Sequence, residues 1–502
     1  LNVTKVYGPP GTGKTTFLLN TVEEHLSNGT PAHRIGYFAF TRKAAHEAKS
    51  RAFERFDYLQ KTDLVFFRTL HSLAYLRLGM SASKLMGPKD YQDFADKVGI
   101  HISAQAQEET WDVKVDNSIL NVIQLSRMRC SDVRLEYNRS GLKVEWYHFL
   151  YVYESYIKYK DSKGLMDFTD LLEVFANEED ALYPELDLLI IDEAQDLSPL
   201  QWKIVHRLTE KAKNTYIAGD DDQAIFLWAG ADVTSFLSFP GKEKVLDQSY
   251  RIPAKVHELA NQVAHRIKYR TDKEYKPRHA LGQIHRYSRF EYIDFDAEGT
   301  WLVLASSTYM LNPVHEHLRS LGLLFERNHI RSISESVIDA VYTWEALRKG
   351  RTVNAQEVRN MYKYLDKSLV AHGHRKFTGP EEDLYNMSVL VRDYGLVVGD
   401  EDFAWYHALT KISSDNVVYI RSALRRGQSL KGTPRISLST IHGAKGGEAD
   451  NVVLLTDLTT KFMDEYADRP DNMNRLLYVA VTRTKDQLHI VEPKDTFKGF
   501  RI

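Results

Sequence analysis

The run GPPGTGKT at residues 8–15 restricts the possible folds of this chain more than any other stretch. It follows the short strand-like segment VTKVY and leads into TFLLNTVEEHL, whose apolar residues recur at helical spacing. In a strand, glycine loop and helix taken in that order, successive backbone N–H groups turn inward around phosphate oxygens, aided by the positive end of the helix. The cradle runs Gly8, Pro9, Pro10, Gly11, Thr12, Gly13, Lys14, Thr15, Thr16. Lys14 is placed to reach the β- and γ-phosphates, and Thr15 to offer its hydroxyl to Mg²⁺. A chance glycine-rich turn is the plain alternative, and flanks of this kind argue against it. A second stretch, LLIIDEAQD (188–196), has the form of a buried strand that delivers Asp192 and Glu193 to its C-terminal edge. That is the edge where ligands sit in open αβ sheets. Asp192 suits coordination of Mg²⁺, and Glu193 suits orienting or deprotonating an attacking water. An Asp-Glu pair alone is common; behind this loop it reads as part of a Mg-nucleotide hydrolase.

The rest of the chain repeats the alternation. RIGYFAFT (34–41) and VFFRTLHSLAYLRL each read as a strand leading into a helix, and such repetition implies parallel strands with crossover helices. From about Gly79 to Leu165 the texture turns polar and mostly helical; the tyrosines of YVYESYIKYKDSKG (151–164) recur at helical spacing and are expected to pack. Apolar strands resume with ELDLLIIDEAQD and NTYIAGDDDQ. A second αβ texture begins near KVLDQSYRIP, continues through WLVLASS (301–307), and returns as RISLSTIHGAKG, NVVLLTD and QLHIV after another helix-like block. A chain of 502 residues exceeds the ~250–300 at which one core stops growing. The expected architecture is α/β, with two parallel-sheet cores in tandem, each interrupted by a mainly helical insertion; the family resemblance given below makes both cores RecA-like. Residues 1–79 with 165–240 form the first core around a helical insertion at 80–164. Residues 241–330 with 433–502 form the second, around an insertion at 331–432.

Composition narrows the setting. The longest apolar runs are far too short to span a bilayer, and no secretory leader pattern is present, so a cytoplasmic location is expected. One cysteine, Cys130, excludes an intramolecular disulfide and a cysteine-based metal cluster. A net charge of −2 rules out a wholesale basic coat. It leaves room for a local groove that grips a single strand through cations and aromatic stacking.

AGDDDQAIFLWAGAD (218–232) sets three acids and an amide just ahead of Trp228. Acids and amides at a strand end suit a polar ligand, and an indole suits something flat; burial in a core is the usual fate of tryptophan. The motif order decides between these readings. FAFTRKAAHEA, FRTLHSLA, MDFTDLL, IIDEAQDLSPLQ, AGDDDQAIFLWAG, LDQSYRIP, STIHGAKGGEADNVVLL and RLLYVAVTRTKDQL succeed one another along nearly the whole chain. In that order they resemble the superfamily 1 DNA helicases of the UvrD/Rep/PcrA type.

The resemblance implies ATP and Mg²⁺ as cofactors and single-stranded DNA, or its junction with duplex, as partner. It implies that Gln223 senses the γ-phosphate and that Trp228 stacks on a base. Arg251 and Arg483 match two arginines that approach the γ-phosphate from the second domain, where cations stabilise the transition state by ~10³–10⁵ in rate. Tyr250 matches an aromatic stacked on adenine and Glu448 an acid near the ribose. Phe40, Thr41, Thr69 and His71 match strand-binding motifs of the first domain, and Thr440, His442 and Lys445 those of the second. For the two histidines a structural role is a nearly equal alternative.

The departures from the family pattern are specific. Relatives commonly read W-R-G where this chain has Trp228-Ala229-Gly230, so a contact of that arginine is missing or supplied from elsewhere. Only LNVTKVY precedes Gly8, so an upstream glutamine motif for adenine is not expected, nor is a nuclease or interaction tail after VEPKDTF. The second insertion is shorter than the relatives' regulatory subdomain. TKFMDEYADRPD is a candidate duplex-splitting hairpin with Tyr466 at its tip, against a plain loop. The resulting expectation is a 3′→5′ single-strand translocase and helicase, a monomer or weak oligomer without a membrane partner. One rival is an ATP-driven subunit working with a nuclease or a loading factor; another is a DNA-dependent switch that does not step.

Overall fold

The computed structural model describes residues 2–56, 58–60, 62–106, 113–179, 182–398 and 403–502. The chain divides into two compact units, Leu1–Gly282 with Asp464–Thr482 and Gln283–Met463 with Arg483–Ile502.

The first unit is built on strands Asn2–Tyr7 (β1), Ile35–Ala39 (β2), Phe66–Arg68 (β3), Leu186–Asp192 (β4), Ala212–Gly219 (β5) and Lys242–Val245 (β6). They pair in parallel in the order β3-β2-β4-β5-β1-β6. Helices cover both faces, which is why β4 reads as an almost unbroken apolar run. Leu188 and Ile190 pack with Leu18, Val22 and Ala48 on one face. Leu189 and Ile191 pack with Leu171, Phe175 and Ile204 on the other, as the two-residue repeat of a strand requires. Three helices matter for the site: Lys14–Ser27 (α1), Arg42–Arg55 (α2) and Leu70–Arg77 (α3). Thr41 and Thr69 fix the starts of α2 and α3 by accepting from the N–H groups of Ala44 and Ser72.

The sequence division closed the first core at residue 240. In the structure, β6 extends the first sheet beside β1 and the unit runs on to Gly282. The helix Pro470–Val481, expected with the second core, also lies in the first unit. Asp471 there accepts from the backbone N–H groups of Lys268 and Tyr269, both at 3.0 Å. The region 80–164, of which 107–112 lie outside the described residues, carries helices Pro88–Val98, Ser118–Met128, Val133–Ser140 and Trp146–Lys163 around a core that includes Phe94, Ile123 and Phe149. It also carries an unexpected hairpin, Ser103–Ala106 with Val113–Asp116. Of its tyrosines, Tyr156 and Tyr159 pack inward while Tyr147 and Tyr151 are exposed.

The second unit holds Gln283–Tyr287 (β7), Trp301–Ala305 (β8), Phe325–Arg327 (β9), Ile330–Arg331 (β10), Ile436–Thr440 (β11), Ala449–Leu455 (β12) and Thr484–Val491 (β13). Their order is β10-β9-β11-β8-β12-β13-β7, parallel throughout except for the edge pair β9–β10. The block at 331–432, of which 399–402 lie outside the described residues, is mainly helical. Its Trp344, Leu347 and Ile420 share one core with Val303, Leu438 and Val453 of the sheet. TKFMDEYADRPD forms no hairpin: Thr460–Asp468 is a helix. The spacing of Phe462, Met463 and Tyr466 suits one helix face, and the Tyr466 hydroxyl meets Asn474 Oδ1 at 3.4 Å. No helix among the described residues is long and apolar enough to cross a membrane.

Candidate nucleotide and strand site

The glycine loop leaves β1 at its C-terminal end, where the Gly8 N–H donates to the Gly219 carbonyl at 2.9 Å. Gly11 and Gly13 both take the left-handed conformation, with φ of 73° and 74°. Gly11 has a second reason to be glycine. A Cβ there would lie 2.3 Å from the Cβ of Arg251, because Ser249–Arg251 rests directly on the loop. Ser249 Oγ donates to the Pro10 carbonyl and the Tyr250 N–H to the Gly11 carbonyl, both at 2.8 Å. Arg251 therefore shares a compact unit with Lys14, rather than belonging to the second core as expected. The continuation of the sheet through β6 is the physical reason. The Tyr250 ring is 74% exposed beside the loop.

Lys14 lies against both acids that end β4. Its Nζ is 2.5 Å from Glu193 Oε1 and 3.5 Å from Asp192 Oδ1. Burial works against the ammonium charge, but Glu193 and Asp192 outweigh it and hold the lysine well above its usual range. Burial, reinforced by Glu193 and opposed by Lys14, raises Asp192. Both Asp192 oxygens are directed: Oδ1 accepts from the Glu193 N–H at 2.9 Å, and Oδ2 from the buried Tyr37 hydroxyl at 2.7 Å. Glu193 itself sits at a φ of 55°, a left-handed backbone rare outside glycine, which turns its side chain off the strand line toward Lys14. The sequence reading missed Tyr37. Its only signal was a hydroxyl-bearing ring inside the apolar run RIGYFAF, on the strand that pairs with β4.

This donor set fits Mg²⁺, a hard cation that retains waters and takes one or two carboxylates together with phosphate oxygens. Asp192 and Glu193 supply hard carboxylate oxygens at the strand end, and the sequence reading assigns Asp192 with the Thr15 hydroxyl to the ion. Among the described residues there is no group of three or more His, Cys, Asp or Glu that would favour an all-protein metal cage.

The acids of the GDDDQ segment are used differently from the expectation that they face a ligand. Asp220, Asp221 and Asp222 are all buried around Lys273 Nζ, at 3.2, 2.7 and 2.8 Å. Arg270 adds a two-pronged bond to Asp222, 2.9 Å on each arm. Burial, with Asp222 and Asp221 alongside, pushes Asp220 up to about 6 despite Lys273. Asp222, despite its burial, is held below its usual range by Lys273 and Arg270. Gln223 Nε2 donates to Asp220 Oδ2 at 2.7 Å. Gln195 ties this segment to the acids of β4: Nε2 donates to Glu193 Oε2 at 2.6 Å, and Oε1 accepts from the Asp220 N–H at 2.9 Å. Gly219 makes that approach possible, since a Cβ there would meet Gln195 Oε1 at 2.5 Å.

Trp228 is not a core residue. Its side chain is 63% exposed, and its ring lies 6.4 Å from Phe226, which stacks on Phe40 at 5.7 Å. Ala229 occupies the position where the family pattern has arginine, and Arg129 of the helical insertion reaches the segment, donating Nη2 to the Leu227 carbonyl at 2.8 Å. The hydroxyls of Thr41 and Thr69 serve as helix caps. His71 is half-buried near Phe168, and burial lowers it to about 4, so it is neutral near pH 7. The remaining candidates lie in the second unit. Thr440 ends β11 and its Oγ1 accepts from the Gly443 N–H at 3.1 Å, inside the turn that holds His442 and Lys445. Glu448 is exposed, 3.8 Å from Lys485. Arg483 is almost fully buried, with Nη1 3.3 Å from the Gly447 carbonyl.

Residues 2–244 match the UvrD/REP helicase N-terminal domain family, and residues 436–491 match the UvrD-like helicase C-terminal domain family. The chain belongs to the UvrD/Rep family of superfamily 1 helicases. Among its relatives is the ATP-dependent DNA helicase PcrA of Bacillus subtilis, 24% identical over 74% of this chain and 51% of that protein. DNA helicase II of Escherichia coli is 26% identical over 71% of this chain and 51% of its own length. The ATP-dependent DNA helicase Rep of Buchnera aphidicola is 27% identical over 50% and 39%. The chain thus spans about half the length, or less, of the curated relatives it matches. Family membership and two parallel-sheet α/β units, as in tandem RecA-like domains, agree with the sequence expectation.

Proposed function

We propose that the protein is an ATP-dependent single-stranded DNA translocase and helicase of 3′→5′ polarity. The observation that supports this best is a chain of hydrogen bonds within the first unit. It runs from Glu193 through Gln195 to Asp220 and Gln223, five residues before the exposed Trp228. A change at the hydrolytic acids has a direct covalent and hydrogen-bonded path to an aromatic platform of the kind that grips bases without reading sequence.

In this reading an incoming γ-phosphate competes with Glu193 for Lys14. Glu193, released from its ion pair, becomes available to a water. Arg251, resting on the loop, and Gln223 flank the phosphate. Mg²⁺, held by Asp192 and the Thr15 hydroxyl, would neutralise phosphate charge. Arg483, Glu448, Tyr250 and the strand residues of the second unit enter the reading through the family resemblance, as does the polarity.

The test is ATP turnover with and without single-stranded DNA, followed by unwinding of duplexes carrying a 3′ or a 5′ tail. Strand-stimulated turnover with opening of the 3′-tailed duplex alone is expected; turnover indifferent to DNA sinks the reading. A matched RNA strand checks the polymer class. Trp228→Ala is expected to weaken strand binding by ~1–3 kcal/mol, the scale of one base stack. Unchanged affinity would remove the platform.

A further inference from the structure

Exposed Trp228 stands in the middle of a three-residue turn, Leu227–Ala229. Phe226 at its start has no side-chain oxygen with which to cap it, and Ala229 brings no cation where the family pattern has arginine. A large ring on so short a turn is ordered on binding at an entropic cost unless its backbone is held beforehand. The holder comes from 98 positions earlier in the chain. Arg129, just past the insertion helix Ser118–Met128, spans two acceptors: Nη2 donates to the Leu227 carbonyl at 2.8 Å and Nη1 to Glu136 Oε2 at 2.7 Å. The Leu227 carbonyl belongs to the planar peptide group that also carries the Trp228 N–H, so fixing it fixes the plane from which the Trp228 backbone departs. Glu136 is almost fully buried and is bonded in turn by Ser131 Oγ at 3.0 Å and Arg139 Nη1 at 3.2 Å. The guanidinium is thus clamped between a buried carboxylate and the backbone of the turn, a span suited to a planar fork of donors and not to an ammonium.

The helix end that presents Arg129 is itself fixed on both sides. Two residues earlier, Arg127 is engaged by Asp167, Asp170 and Glu173 at the start of the helix Phe168–Asn177. One residue later, Cys130 turns the chain at a φ of 51°, and the Ser131 N–H closes back on the Ser126 carbonyl at 2.9 Å. The turn also rests directly on this helix. At Gly230, with a φ of 97°, an added Cβ would lie 3.3 Å from Leu125 Cδ1 and 3.4 Å from Met128 Cβ. We propose that Arg129 is a positioning residue for strand binding: by bridging Glu136 and the Leu227 carbonyl it holds Trp228 ready to stack, and it makes the helical insertion a structural part of the base platform. The proposal rests on the strand-motor reading and adds to it a residue outside every motif quoted for that reading. Arg129 does not itself meet the strand, so it alters affinity only through Trp228.

The test is a double-mutant cycle over Arg129→Ala and Trp228→Ala, read by fluorescence anisotropy of a labelled oligothymidylate between about 50 and 200 mM salt, with thermal melts to confirm folding. Arg129→Ala is expected to weaken binding by roughly 3- to 10-fold, the scale of one net hydrogen bond, and to leave the salt slope as in wild type. In the Trp228→Ala background the same substitution should cost little more. A loss of equal size in both backgrounds, or a slope shallower by about 0.7, makes Arg129 a phosphate contact and overturns the positioning role. Wild-type affinity in Arg129→Ala, with Trp228→Ala still weak, overturns it and leaves the strand reading intact. Failure of the wild-type protein to bind the strand overturns both. Should Arg129→Ala melt early, Arg129→Lys carries the same cycle. It keeps a cation beside Glu136 without the fork, so a smaller loss that depends on Trp228 is expected, and full affinity there overturns the bridge.

Discussion

Strands β4 and β5 are neighbours in one sheet, both buried toward their C-terminal ends and both leading into acids, and the structure gives those acids opposite surroundings. At the end of β4, Asp192 and Glu193 meet Lys14 of the glycine loop, and the Glu193 side chain remains 31% exposed. At the end of β5, three aspartates close on Lys273, whose side chain has no exposed surface. Arg270 seals Asp222, the Thr271 N–H bonds Asp221 at 2.7 Å, and Arg475 Nε donates to the Asp221 carbonyl at 2.9 Å. In the proposed function, what separates a reactive carboxylate from a structural one is the origin of the cation. A lysine presented by a phosphate loop can exchange its carboxylate for a phosphate. A lysine enclosed by three aspartates has nothing to exchange with.

Breaking the β5 side should have the largest effect. Lys273→Met leaves three buried carboxylates with Arg270, the Gln223 amide and backbone donors but no lysine, and loss of one partner from a buried ionic cluster costs ~3–5 kcal/mol. A denaturant or thermal melt checks it, and a wild-type melt would show that the cluster is not the seal described. Breaking the β4 side should spare the fold and remove chemistry. Lys14→Ala is expected to lower ATP turnover by ~10²–10³, the scale of losing one preorganised donor to developing negative charge, while strand binding persists. Turnover near wild type would instead place Lys14 outside the reaction, and the contrast between the strand ends would lose its functional half.

These two ends also mark what was legible in the sequence. The placement of the loop against Asp192 and Glu193 could be read because phosphate binding of the kind proposed fixes local spacing: a strand, six or so residues of cradle, a lysine at a helix start. The inward turn of Asp220–Asp222 could not, because Arg270 and Lys273 arrive about fifty positions later from KYRTDK, a stretch with neither periodicity nor motif. The same distance problem hid the reach of the first unit. A four-residue exposed strand, Lys242–Val245, carries little signal, yet its pairing with β1 keeps Ser249–Arg251 on the loop. TKFMDEYADRPD failed for the opposite reason: family analogy suggested a hairpin, whereas its own apolar spacing is helical. The exposure of Trp228 was legible only through motif order, since an isolated tryptophan reads as core.

The finest test of the comparison is a single hydroxyl. Tyr37 is fully buried, stacked on Phe67 at 5.2 Å, and its OH is the side-chain donor to Asp192 Oδ2. With Oδ2 so engaged and Oδ1 accepting from the Glu193 N–H, the carboxylate is held in one orientation at the strand end. Tyr37→Phe retains the ring and its stacking and removes only that donor. If the β4 acids are a metal-binding end rather than a second sealed cluster, the loss should be felt in metal affinity, by ~10–100-fold, the usual range when a partner that orients a ligand is removed. Mn²⁺ binding in the presence of ADP, followed by electron paramagnetic resonance, measures it without reference to turnover. Metal-free ADP affinity and the melt serve as controls, and both should remain close to wild type. A variant that binds Mn²⁺ normally but melts early would make Tyr37 a packing residue and Asp192 a structural acid like its neighbours on β5.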